Sequence, residues 1–343
     1  MVVDTIYTDE RYILDEYFGK AFRMYFKDCS VCVLDIETTG MTTESARFVL
    51  GGLLSFEDGV ANLIQYFAED ISEEKEILTL YIQEAFKYDV ILTYNGKSFD
   101  LPFLLARADK LELDVYKIPY NLDLYLVLNG HSPLRKFLPN LKQKTVEDFM
   151  GLWEYREDRI TGREFALMYP NNADLLLLHN RDDVLQLARL LAVLEKTNFH
   201  RAMYSLGFPV IAGRSITGGN IGRSLHVQDI MFHRGCLRAA GLQAENPVDF
   251  ISYGDESGDF YVRFVKKGAS FEISVPVFKL SGSTVVDLKK LPFDVTAELS
   301  AYPNYESEYL ILKSGGDINH MEVNLFIKAF LQKTLGDLPE DLP

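Results

Sequence analysis

Residues 31–40 read Val-Cys-Val-Leu-Asp-Ile-Glu-Thr-Thr-Gly, and the rest of the chain is best understood outward from them. Val31 to Leu34 is an apolar, β-rich run, short enough for a buried strand. Asp35 and Glu37 follow two residues apart. In extended chain, residues i and i+2 point to the same side, so both carboxylates share one space. Two like charges in a partly buried place are costly unless a cation neutralises them. Hard oxygen donors suit Mg²⁺ or Mn²⁺ better than zinc. The bland reading of such a pair is a solvated strand end, which the apolar lead-in disfavours.

Two further acidic patches lie downstream. Val90 to Thr93 reads as a short apolar strand, Tyr94-Asn95-Gly96 as a turn, and Phe99 to Ala108 as a helix with Asp100 in its first turn. An acid there complements the helix dipole without any further role, but Asn95 and Phe99 make the patch more specific. The third patch sits on a long helix predicted over about 172–195, where Leu176, Val184, Leu187, Leu191 and Leu194 form an apolar face. His179 and Asp183 are i and i+4 on it, one turn apart. A proton acceptor beside a metal-binding carboxylate suits activation of water. Singly, His179 reads as an interface histidine and Asp182-Asp183 as solvated charges.

Taken together, Asp35-x-Glu37, Asn95-x-x-x-Phe99-Asp100 and Asp183 resemble the DEDD group of 3′→5′ exonucleases within the ribonuclease H-like superfamily. More narrowly, LDLYLVL, NLKQKTVEDFMG, EDRITGREF and HNRDDVLQL look like the bacterial YprB-type predicted exonucleases, the RNase_H_2 branch. The resemblance covers about residues 28–197. It implies a metal-dependent 3′→5′ exonuclease acting on single-stranded or short nucleic acid, RNA or DNA. Two divalent cations, Mg²⁺ or Mn²⁺, would be held by Asp35, Glu37, Asp100 and Asp183, with Asp35 shared. Thr38, Asn95, Phe99 and Lys97 would meet substrate, with Lys142 a further phosphate contact. Asp123, where relatives also carry an acid, would support the site from behind. One departure stands out. The named subclasses place a Tyr before the last Asp with three residues between, or a His with four. His179-x-x-x-Asp183 puts a His at the Tyr spacing, so His179 either deprotonates the nucleophilic water or only orients it. Asp182 is the alternative fourth ligand, otherwise an outer-layer acid. A scaffold that keeps the fold without useful catalysis, and a structure-selective endonuclease of the same superfamily, are the rival readings.

Composition sets limits. The 343 residues are 48% apolar and 25% charged, as in an ordinary globular protein, and the length suits two domains. No run approaches a membrane span and the acidic start is unlike a signal peptide, so the expected location is cytoplasmic. Cys29, Cys32 and Cys236 imply no disulfide framework. Cys29-x-x-Cys32 has no second pair and runs into the first strand, so it reads as packing. The net charge is −15, which argues against a strong nonspecific duplex binder. Residues 1–200 hold 21 Lys and Arg against 33 Asp and Glu. That balance suggests transient contact with single strands or 3′ ends, or delivery by a partner.

The expected fold class is α/β, a ribonuclease H-like mixed sheet flanked by helices over residues 1–200, followed by a smaller β-rich α+β domain over 201–343. A lead-in helix is predicted at 8–27 and strands near 31–36, 47–55 and 59–67, with the turn Glu57-Asp58-Gly59 making a hairpin. A helix over 73–87 opened by Ser72, a strand near 118–122, and helical stretches at 123–150 and 161–169 follow. After 197 the texture changes to the glycine-rich LGFPVIAGRSITGGNIGRS, then short β-like runs, then a helix at 319–335. The stretch 213–223 lacks a P-loop ending, so it reads as a linking turn and not a nucleotide site. The run 259–267 interleaves aromatics and cations, yet its alternation gives no single aromatic face, so it reads as a sheet strand. This second domain would be the place for a protein partner.

Overall fold

In the computed structural model, which describes residues 2–7, 18–57, 60–158, 169, 171–212, 222–253 and 260–338, the alternating runs of the first third of the chain build one mixed sheet. The chain divides into two compact units, Met1–Asn198 and Phe199–Pro343. In the first, the elements are β1 (Val2–Tyr7), α1 (Lys20–Phe26), β2 (Val31–Thr38), β3 (Phe48–Glu57), β4 (Val60–Phe67), α2 (Glu74–Ala85), β5 (Val90–Thr93), α3 (Asp100–Lys110), β6 (Tyr120–Asp123), α4 (Leu124–His131), α5 (Gln143–Phe149) and α6 (Ala173–Leu190). The described strands lie in the order β1-β4-β3-β2-β5-β6.

Topology follows from connection length. β3 and β4 pair antiparallel down to Glu57 opposite Val60, as a two-residue connection demands. β2–β5 and β5–β6 are parallel, which needs crossover segments; α2 and α3 lie on those paths. β2 is central, and Val31 to Leu34 are all buried, which is why its apolar run is continuous where a half-exposed strand would alternate. Ile77, Tyr81, Phe103 and Leu104 of α2 and α3 join Leu34, Phe48 and Leu53 in one core. Leu176 of α6 closes a second cluster with Val49, Leu50 and Phe67. Each such side chain contributes roughly 1.5–3 kcal/mol when taken out of water.

Several local expectations change. The cap before α2 is Asp70, not Ser72. Its carboxylate accepts from the Ser72 N–H at 2.8 Å, and Glu73 accepts from the Glu69 N–H at 3.0 Å. A 3-10 turn, Ile71–Glu73, therefore precedes the helix, because an aspartate two residues earlier reaches the free N–H groups first. The lead-in helix is observed only as Lys20–Phe26; its part over 8–17 lies outside the described residues, as does the stretch 161–168. The 123–150 stretch is broken at Pro133, where a 3-10 turn, Pro133–Lys136, separates two helices.

The second unit starts with α7 (Phe199–Leu206) and β7 (Phe208–Ala212). The sheet then runs through β8 (Arg223–His233), β9 (Cys236–Glu245), β10 (Phe250–Tyr253), β11 (Tyr261–Val265) and β12 (Ser270–Pro276), in the antiparallel order β10-β11-β12-β9-β8-β7. Strands at 208–212 and 223–233 were hidden by the glycines between them; most of that linking stretch, 213–221, lies outside the described residues. A second sheet holds β13 (Phe278–Leu280), β14 (Ser283–Asp287), β15 (Tyr305–Glu306), β16 (Tyr309–Ser314) and β17 (Asp317–Ile318). After the short α8 (Thr296–Leu299), α9 (His320–Gly336) buries Phe326 and Phe330 completely. On β11, Val262 and Phe264 are buried while Arg263 is exposed, so that strand offers no aromatic face. Among the described residues, no helix is long and apolar enough to cross a membrane.

Candidate active site

The acidic end of β2 is met by α3 from one direction and by α6 from another. Alternation on β2 turns Asp35 and Glu37 to the same side, and both are half-buried. Asp100 opens α3 and is buried. The backbone N–H groups of Asp100 itself and of Ile36 favour its charged form, which places the second patch beside the first strand between the two acids.

Helix α6 can come this close because of a glycine. Gly52 of β3 pairs with Asp35, and a Cβ there would fall 2.3 Å from Asn180 Oδ1 and 2.8 Å from Val184. Without that side chain, Asn180 reaches across and donates to Asp35 Oδ2 at 2.9 Å. Gln65 of β4 donates to Asn180 Oδ1 at 3.0 Å and to the Leu177 carbonyl at 2.9 Å. This buried relay sets the register of the helix over the strand, and so brings His179 and Asp183 to Glu37. His179 Nε2 stands 3.4 Å from Asp183 Oδ2 and 3.7 Å from Glu37 Oε1.

The remaining wall is the segment between α5 and α6. Arg156, itself buried, bonds Glu147 through Nε at 3.0 Å and Nη2 at 2.9 Å. It lies 3.4 Å from Asp158 and also contacts Asp183 Oδ1. Asp182 accepts from the backbone N–H groups of Glu157 and Asp158, each at 2.7 Å. It thereby presents the buried Asp158 carboxylate to His179 Nδ1, 2.5 Å away. Asp182 thus uses one carboxylate oxygen on this segment, and its other oxygen accepts from Arg181 Nη2 at 3.0 Å.

The electrostatics are those of an under-neutralised cluster. Burial, then the charges of Asp183 and Asp100, push Asp35 well above the usual carboxylate range. Glu37 rises too, through burial and then Asp35. Burial pushes Asp100 up to about 7. Arg156 and Lys144 oppose these shifts without cancelling them. Hard oxygen donors from three elements, in excess of nearby cations, form a donor set that fits divalent ions.

The other sequence-derived residues sit around this cleft. Asn95 is exposed with φ +65°, a left-handed turn position that Asn tolerates. Lys97 is exposed beside it. Asp123 accepts from the N–H groups of Asn95 at 2.8 Å, Lys97 at 3.1 Å and Tyr125 at 3.0 Å, so it holds the Asn95 turn while capping α4. Phe99 packs on Phe103, ring centroids 5.6 Å apart. Thr38 donates its hydroxyl to the Gly40 carbonyl at 2.6 Å. Lys142 is exposed at the start of α5. Cys32 is buried and Cys29 partly so, both as free thiols. Sequence reasoning missed Gln65, Lys144, Glu147, Arg156, Asp158 and Asn180 as parts of this site. Glu147 and Asp158 do fall within family-like segments, and Asn180 adjoins His179.

The RNase_H_2 family model, of the RNase H superfamily, matches residues 32–195. The matched segment runs from β2 past the end of α6 and includes every cleft residue named above; over it the chain is similar to that superfamily. A DNA polymerase of Methanocaldococcus jannaschii is 37% identical over 110 residues, 32% of this chain and 5% of the relative. One from Pyrococcus glycovorans is 31% identical over 126 residues, 33% of this chain and 15% of the relative. The chain thus spans only a small part of either relative. Among solved structures, exonuclease I aligns at 10% identity with a TM-score of 0.33, over 62% of this chain and 55% of that one.

Proposed function

We propose that the protein is a metal-dependent 3′→5′ exonuclease that hydrolyses phosphodiester bonds of single-stranded or short nucleic acid. The observation that supports it most is the convergence of Asp35, Glu37, Asp100 and Asp183 in one under-neutralised cleft. In this reading those four carboxylates hold two divalent ions, Mg²⁺ or Mn²⁺. Bound there, the ions would activate water and offset the charge on the departing 3′ oxygen. The chain's own groups do the rest. Asn180 keeps Asp35 in position, and Asp123 stiffens the turn that offers Asn95 and Lys97 to the substrate backbone. Phe99 and Thr38 border the terminal nucleotide. The second unit would engage a partner or guide the strand.

The test uses 5′-labelled single-stranded RNA and DNA with Mn²⁺ or Mg²⁺, comparing wild type with Asp35→Asn and Asp183→Asn. A ladder shortening from the 3′ end, absent in both variants, is the expected result and identifies the preferred sugar. Cleavage of a circular single strand would turn the reading to an endonuclease. No cleavage of any substrate would turn it to a scaffold.

A further inference from the structure

The geometry points to His179 as a metal ligand through Nε2, with Asp158 as its positioning residue. This inference rests on the metal-site reading above. His179 is 3% exposed and sits on one helix face with Asp183, an i, i+4 pair suited to chelation. Glu37 Oε1, His179 Nε2 and Asp183 Oδ2 all lie within 4.8 Å of one another. The separations from Nε2, 3.4 and 3.7 Å, exceed the usual N–H···O range of about 2.7–3.2 Å. Donor atoms roughly 2.1 Å from a common ion stand roughly 3.0 Å apart when adjacent and 4.2 Å when opposite. The observed separations lie within the span of those values.

The other ring nitrogen decides what Nε2 can offer. Asp158 is bracketed by Arg156 and Lys144, each 3.4 Å from its Oδ2, and cations so placed favour an accepting carboxylate. It therefore takes the Nδ1 hydrogen, and in the neutral ring the lone pair is then on Nε2. Metal-binding histidines characteristically donate their second nitrogen to such a carboxylate. Asp182, fixing the Glu157 and Asp158 N–H groups, makes that arrangement rigid.

Two consequences follow. A nitrogen added to oxygen donors shifts preference toward Mn²⁺ or Co²⁺ relative to Mg²⁺. A coordinated nitrogen also has no lone pair left, so His179 is not the proton acceptor while the ion is bound.

The experiment is electron spin-echo spectroscopy of Mn²⁺ bound to the full-length protein, with natural-abundance and ¹⁵N-histidine samples. The expected result is a ¹⁴N modulation that becomes ¹⁵N on labelling and vanishes in His179→Asn. Calorimetric titration should show Asp158→Asn lowering Mn²⁺ affinity by about tenfold, with a smaller loss for Mg²⁺. Mn²⁺ bound to folded wild type without nitrogen coupling, or with coupling that survives His179→Asn, would overturn the inference and leave the carboxylate site standing. Failure of folded wild type to bind Mn²⁺ would overturn both.

Discussion

The first unit buries acids in several places, and two of them are handled in opposite ways. Glu74, in the first turn of α2, accepts from the Phe48 N–H at 2.9 Å and from Arg107 Nε and Nη2 at 2.7 and 2.6 Å, with Arg47 Nε 3.5 Å away. One carboxylate there has two guanidinium groups and a backbone donor. In the cleft, Asp35, Glu37, Asp100 and Asp183 share Arg156 and Lys144, and Arg156 is already divided among Glu147, Asp158 and Asp183. A buried acid that is fully matched stabilises or is neutral for the fold; an unmatched cluster costs stability and stays because it binds something. Charge balance, and not burial, separates the structural acid from those proposed to act.

The largest effect expected is on catalysis. Asp35→Asn preserves shape but removes a central charge, so cleavage of a labelled strand should fall on the order of a thousandfold or more. The melting temperature of the metal-free variant should hold or rise, since repulsion is relieved. Retained activity would undo the contrast at its functional end. At the structural end, Arg107→Ala leaves Glu74 buried without its bidentate partner, and denaturant unfolding should show a loss of about 3–5 kcal/mol. A loss below about 1 kcal/mol would mean the pair is not what holds that corner.

A smaller effect comes from pH. Burial sets Asp100 at about 7, above its ordinary 3.8, so between those values the folded protein holds a proton that the unfolded chain has released. Its contribution to metal-free stability therefore declines as pH rises toward 7 and above. An incoming ion must displace that proton. Affinity for Mn²⁺ should drop about tenfold from pH 8 to pH 6, near 1.4 kcal/mol of stabilisation at saturating metal. Equal thermal shifts at both values would contradict the raised Asp100. The smallest change is expected for Lys144→Ala. Its side chain is 30% exposed, so stability should move by less than about 1 kcal/mol, while Mn²⁺ binds roughly two- to threefold more tightly once a competing cation is gone. Weaker binding would instead make Lys144 a supporting group of the site.

Much of this was legible from local pattern. The β2 run, its i, i+2 acids, the hairpin after β3 and the helix carrying His179 and Asp183 all follow from periodicity. What escaped were features whose meaning is relational. Asp158 reads as one more charge in Glu-Asp-Arg until Asp182 folds it onto His179. Asn180 is polar on a helix that reads as amphipathic; only contact with Gln65 and Asp35 explains its burial. Arg107 resembles a surface cation of α3 until Glu74 meets it. The strands at 208–212 and 223–233 were obscured because glycine signals turns whether or not strands flank it.

Residue order alone therefore carried the class of fold, the separation of an acidic sheet domain from a β-rich one, and the residue types suited to divalent ions, since each depends on spacing along a few residues. The close approach of α6 at Gly52, the turning of Asp182 onto the Glu157 and Asp158 backbone, the seating of His179 against Asp158 and the charge imbalance that marks the site belong to the tertiary structure. Charge interactions fall with distance in space, through a dielectric that burial sets, and neither is written in the spacing of the chain.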